Sequence, residues 1–123
     1  MKSWIRFLPA IAWAILILIL SSGPGIPLPS HWWDLFSPDK FGHAFVYGVL
    51  VLLTLRAFQS GGQWSTTTVW VTVLGSALYG IAMEVMQWTF FPGRYFEVLD
   101  IIANIIGAIL GWFLYAKYFI IKT

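Results

Sequence analysis

Residues 97–113 read Glu-Val-Leu-Asp-Ile-Ile-Ala-Asn-Ile-Ile-Gly-Ala-Ile-Leu-Gly-Trp-Phe, and the periodicity of this stretch decides the fold. Glu97, Asp100, Asn104, Gly107 and Gly111 recur every three or four positions, so on a helix they share one stripe. Ile102, Ile106, Ile109 and Phe113 occupy the opposite stripe, which is wholly apolar. Gly107-x-x-x-Gly111 supplies a smooth surface on which neighbouring helix backbones approach closely. The polar stripe is therefore expected to face the interior of a helical bundle.

The rest of the chain agrees. Of 123 residues, 59% are hydrophobic, 19% aromatic and only 10% charged, and the mean hydropathy is +0.81. Soluble domains carry about 25% charged residues, and a small domain leaves much of its surface exposed, so lipid must be the solvent here. Charges and loop-forming residues cut the sequence into four apolar stretches, at about 5–21, 41–58, 66–91 and 98–121, each near the roughly 20 residues that span a hydrocarbon core. The predicted fold class is an all-α membrane protein, a four-transmembrane-helix up-down bundle forming one domain over 1–123.

The connections set the topology. Residues 22–39 hold Gly23, Pro24, Gly25, Pro27, Pro29 and Pro38 and cannot form a spanning helix. Within them, His31-Trp32-Trp33-Asp34-Leu35-Phe36 has the character of an interfacial anchor, since Trp prefers the headgroup region. Short loops at 59–65, with Gly61-Gly62, and at 92–97, with Pro92-Gly93-Arg94, predict antiparallel neighbours. Lys2, Arg6, Arg56, Lys117 and Lys122 then lie on one side and Lys40 and Arg94 on the other, which predicts an N-in, C-in orientation. Loops 22–39 and 92–97 become extracytoplasmic. Lys2 and Arg6 ahead of an apolar run resemble the start of a signal peptide, but no small-x-small cleavage pattern follows Leu20, so the first stretch is read as a retained span.

Some functions are disfavoured at once. The net charge of +2 comes from scattered residues with no basic run, so nucleic acid is not an expected partner. Cysteine is absent, which removes disulfides, thiolate catalysis and Cys-ligated metals.

With the topology drawn, the remaining ionisable and amide groups gather at the outer end. Asp39, Lys40, His43 and Tyr47 open the second helix, Glu84 and Gln87 lie in the outer half of the third, Arg94 is in the outer turn, and Glu97, Asp100 and Asn104 open the fourth. A charge at the bilayer centre costs about 2.5–3.5 kcal/mol on insertion scales, and less near the interface. In one reading Arg94 and Lys40 pair with Asp100, Glu84 and Glu97 only to lock the helices together, with His43 hydrogen-bonded among them, but apolar packing does that work at little cost, which favours function. Asp39, Glu84, Glu97 and Asp100 against Lys40 and Arg94 leave an excess of two negative charges with His43 neutral, suited to a cation or to partial protonation. One His and several carboxylates satisfy divalent-metal chemistry, although no H-x-x-x-H-type signature is present, so metal and cofactor stay open. His43 beside Glu84 or Asp100 equally suits an acid/base pair. No Ser or Cys nucleophile motif accompanies them; Ser76 and Thr89 stand alone.

Asp39-Lys40-x-x-His43-x-x-x-Tyr47, Glu84-x-x-Gln87 with Pro92-Gly93-Arg94, and Asp100-x-x-x-Asn104-x-x-Gly107-x-x-x-Gly111 together resemble the VanZ-like family over about 39–111. The resemblance covers three of the four helices; the first helix and the Trp-rich loop carry none of its motifs. It implies a small protein of the bacterial cytoplasmic (inner) membrane with a role in the cell envelope and, through the member that named the family, a link to resistance to the glycopeptide teicoplanin. It implies no known reaction.

Three functions follow as expectations. In the first, an outer-leaflet site binds or modifies a lipid headgroup or lipid-linked envelope precursor. There His43, Glu84 and Asp100 are the acid/base or cation-holding groups, Lys40 and Arg94 hold anionic oxygens, Gln87 and Asn104 orient the others, and Asp39 and Tyr47 complete the binding set. In the second, a non-catalytic module docks a partner protein or lipid tail through its aromatic surface, and tolerates Glu84→Gln. The third, a small multidrug transporter, ranks last, because its first helix would need an embedded carboxylate and 7–20 contain no ionisable residue.

Overall fold

The computed structural model describes residues 3–22, 38–91 and 96–118. A short 3₁₀ turn, Ser3–Phe7, leads into α1 (Leu8–Ser21), followed by α2 (Pro38–Ser60), α3 (Thr66–Phe90) and α4 (Val98–Tyr118). All four helices, α1 taken with its leading turn, are long and apolar enough to cross a membrane. The expected all-α, four-span architecture is thus the observed one.

α2 starts earlier than the sequence suggested. Pro38 is its first residue, a position where the fixed φ of proline suits the helix and its missing N–H is not needed. Asp39 and Lys40 consequently sit in the first turn of α2 rather than in the preceding loop. The α2–α3 connection turns through Gly62, whose φ of 72° is the left-handed conformation that glycine adopts freely. Ser65 then caps α3: its hydroxyl accepts from the Thr68 N–H at 3.1 Å, and the Thr68 hydroxyl accepts from the Ser65 N–H at 2.9 Å. The 31–36 aromatic segment, the 92–94 turn and the last turn expected for the fourth span, 119–121, lie outside the described residues.

Contacts at the two ends show that successive helices alternate in direction. At one end, Arg6 hydrogen-bonds Gln63 and Tyr115 hydrogen-bonds Gln59. At the other, Gln87 Nε2 donates to the Ser21 carbonyl at 3.0 Å and Lys40 Nζ to Glu97 Oε2 at 2.6 Å.

The α2–α4 seam is the tightest. A Cβ added at Gly107 would run into the Ala44 main chain, and one at Gly111 would come within 2.6 Å of the Gly48 carbonyl oxygen. Gly107-x-x-x-Gly111 therefore meets Ala44-x-x-x-Gly48, small surface on small surface. Below this seam Val51, Leu55, Ala108 and Tyr115 form a buried cluster, with Trp64 stacked on Tyr115 at 5.6 Å between ring centroids. On α4, Asp100, Asn104, Gly107 and Gly111 are buried, while Ile102, Ile106, Ile109 and Phe113 are exposed. The apolar stripe of α4 thus faces outward and its polar and glycine stripe inward, as expected of a bundle in lipid.

α1 is the peripheral helix. Among the described residues it packs against α2 and α3 but not α4, and it buries only Ala10 and Ile17. Polar ties hold it instead: Trp13 Nε1 donates to the Val46 carbonyl at 2.8 Å, Tyr79 donates to the Ala14 carbonyl at 2.5 Å, and Gln87 reaches Ser21.

Candidate functional site

Where α1 ends and α2 begins, helical spacing on three helices sends polar groups to one place. α2 contributes Lys40, His43 and Tyr47, three and four residues apart on one face. The buried stripe of α3, Thr72, Ser76, Gly80, Glu84 and Gln87, becomes strongly polar at this end. α4 contributes Asp100 and Asn104, with Glu97 just before its first turn.

Lys40 is 3% exposed. Its ammonium lies between the carboxylates of Glu97, at 2.6 Å, and Asp100. One cation thereby bridges the start of α2 to the start of α4 in surroundings where an unpaired charge would be costly. His43 Nδ1 donates to Asn104 Oδ1 at 3.1 Å, and its Nε2 is 3.7 Å from Asp100 Oδ1. Asn104 is 2% exposed, and its amide nitrogen packs on Gly80 so closely that a Cβ there would come within 2.7 Å of it. The glycine thus makes room for the amide, whose oxygen is turned toward His43. Glu84 is 1% exposed and accepts from the Glu97 N–H at 3.3 Å. Its carboxylate, a carboxylate oxygen of Asp100 and a ring nitrogen of His43 all lie within 4.8 Å of one another.

Beside this cluster is a cavity of about 300 Å³ between α1 and the other three helices. Its lining includes the polar residues His43, Tyr47, Glu84, Gln87 and Asn104 and the apolar residues Ile17, Leu20, Val46 and Met83. The lining is mixed at the scale of one small molecule: a group placed there meets an imidazole, a carboxyl group, a phenol and two amides as well as hydrocarbon.

Of the residues expected at the site, the structure brings His43, Glu84 and Asp100 together and puts Gln87, Asn104 and Tyr47 on the cavity wall with His43 and Glu84. Lys40 is not on that wall; it is engaged by Glu97 and Asp100. Asp39 is placed by its backbone alone, and Arg94 lies outside the described residues. Sequence reasoning missed the α1 contribution, Ile17, Leu20 and Ser21, because an unbroken apolar helix carries no pattern that marks one face. It also missed the role of Gly80 as the seat of Asn104, although that glycine stood on the same stripe as Glu84 and Gln87.

A family model described as VanZ/LLP1 matches residues 6–121. An uncharacterized protein of Schizosaccharomyces pombe is 29% identical over 109 residues, which are 85% of this chain and 60% of the relative. The chain therefore spans about 60% of the length of the curated relative that it matches. No solved structure matches it. The family match extends over all four helices, α1 included, and over the whole polar cluster, and on this basis the chain belongs to the VanZ-like family.

Proposed function

We propose that this protein binds the headgroup of an envelope lipid or lipid-linked precursor at the extracytoplasmic face of a bacterial cytoplasmic membrane, and that the cavity beside α1 is where it does so. The observation that carries this reading is the mixed cavity lining, in which His43, Glu84, Gln87 and Asn104 stand together with Ile17, Leu20 and Met83. Ligand sites are mostly apolar with a few convergent polar groups, and a headgroup with its first methylenes needs that combination at interface depth. The orientation rests on the bias of Lys and Arg toward the end of the bundle that holds both termini.

In this reading Glu84 and Asp100, with His43, are the acid/base or cation-holding groups, and Asn104 and Gln87 orient what enters. Lys40 has one partner near the surface: the Glu97 side chain is 28% exposed, against 10% for Asp100. An incoming phosphate displaces Glu97 and takes its place on the ammonium, while Asp100 keeps Lys40 anchored. A change in sensitivity to teicoplanin would be a downstream consequence of altered outer-leaflet chemistry.

The test is native mass spectrometry of the protein released from its own membranes. Wild type is expected to retain a bound lipid species. Met83→Trp, which fills the cavity, is expected to lose it, while Leu74→Trp, on an exposed face of α3, keeps it. Equal retention by both variants, or none by wild type, contradicts the reading.

A further inference from the structure

We propose that His43, Glu84 and Asp100 form a binding site for a first-row divalent cation such as Mn²⁺ or Zn²⁺. One residue comes from each of α2, α3 and α4, and their donor atoms all lie within 4.8 Å of one another, a separation that small side-chain movements close around an ion. The mixed donor set, one imidazole nitrogen and two carboxylates, points away from Mg²⁺ and Ca²⁺, which prefer oxygen alone, and toward a transition metal.

Three further observations converge on the same point. Glu84 is 1% exposed and lines the cavity, yet it makes no ion pair with a Lys, Arg or His among the described residues. Three carboxyl groups, Glu84, Glu97 and Asp100, share this end of the bundle, and the Lys40 ammonium contacts only the last two, so Glu84 is the carboxyl that a cation in the cavity would engage. The His43–Asn104 contact has the form of an outer-shell support: Nδ1–H donates to a fixed amide oxygen, and Nε2 is turned to the side of Asp100, 3.7 Å from its Oδ1. Metal-binding histidines are commonly oriented in this way. The ion also has a way in, because His43 and Glu84 both border the cavity.

The cation deepens the lipid reading, on which it rests for its role: it supplies positive charge at the cavity, which Lys40 does not line, so that a headgroup phosphate meets the ion as well as the Lys40 ammonium. Ion binding itself is measurable without the headgroup. The experiment is a Mn²⁺ titration, followed by electron paramagnetic resonance, of the full chain stripped with EDTA and held in phosphatidylcholine nanodiscs, with empty nanodiscs subtracted.

One saturable ion per chain is expected, displaced by Zn²⁺ and showing electron–nuclear coupling to an imidazole nitrogen. His43→Ala abolishes that coupling, and Glu84→Gln weakens binding by at least about tenfold. His43 is partly exposed, so its removal tests ligation with little change in packing, and helical circular dichroism confirms that both variants are folded. Substoichiometric binding by wild type, or unchanged coupling and affinity in folded His43→Ala, overturns the site. Mn²⁺ bound as expected by a protein that retains no lipid overturns the lipid reading and leaves the ion site standing.

Discussion

His43 on α2 meets Asn104 on α4 at 3.1 Å, Nδ1 donating to Oδ1, within one helical turn of the place where Gly107 lies against the Ala44 main chain. The two contacts depend on each other. Side chains as short as these bridge two helices only where the backbones are close, and the backbones are close because Gly107 has no Cβ. The polar site and the glycine seam are one construction.

Gly107→Ala is expected to lower the stability of the bundle by about 1–3 kcal/mol, the range of an overpacked core, because its new methyl meets main-chain atoms of Ala44 that cannot rotate away. Gly75→Ala, where a Cβ meets nothing within 4 Å, is expected to be neutral or to stabilise by up to about 1 kcal/mol. Thermal unfolding of both variants in the same detergent separates them.

Lys40→Met leaves Glu97 and Asp100 without their ammonium. The expected cost is about 3 kcal/mol, most of it from Asp100, since Glu97 is the more exposed and better hydrated partner. Lys40→Met combined with Asp100→Asn should recover part of that loss, and a coupling energy above about 0.5 kcal/mol in the double-mutant cycle marks the pair as interacting.

α1 is held by hydrogen bonds more than by buried area, so removing them should free it selectively. Tyr79→Phe deletes the bond to Ala14 and Gln87→Leu the bond to Ser21, each worth about 0.6 kcal/mol by the average for interhelical bonds in membranes. The chain has no cysteine, so spin labels at Leu18→Cys and Phe45→Cys report α1 against α2 without background. The distance distribution of this pair should broaden in the double variant, while that between Phe45→Cys and Ile106→Cys stays narrow.

The N-in orientation predicts which turn meets the outside. A membrane-impermeant maleimide applied to intact cells should label Phe96→Cys, ahead of α4, and leave Gln63→Cys, in the α2–α3 turn, unlabelled until the membrane is opened. The reverse pattern places the polar cluster on the cytoplasmic side.

Much of this was legible in the sequence, and for one physical reason. In a bundle surrounded by lipid every polar group at depth must find protein, so a stripe such as Asp100, Asn104, Gly107 and Gly111 marks the inner face directly. Glu84 and Gln87 could be read in the same way, and so could the close approach at Gly107, although Ala44-x-x-x-Gly48 opposite it went unremarked. α1 could not be read: its inward residues are as apolar as its outward ones, and its ties to the bundle are made by Tyr79 and Gln87 of α3 and by its own Trp13. For Lys40 the sequence left two readings open, pairing with acidic residues of the other helices or holding a ligand's anionic oxygens, and the observed pairs with Glu97 and Asp100 match the first. Spacing placed it near acidic residues, but its commitment to Glu97 and Asp100, away from the cavity wall, depends on the three-dimensional fit of two helix starts.

The most direct measurement compares lipids and cell-wall precursors, by mass spectrometry, in a deletion strain complemented with wild type, Glu84→Gln or Asp100→Asn at matched membrane levels. If the cavity acts on an envelope lipid, at least one species changes with wild type and stays at the deletion level with both variants. Identical profiles for all three complemented strains would contradict a role for Glu84 and Asp100 in that chemistry and return the protein to the class of docking modules.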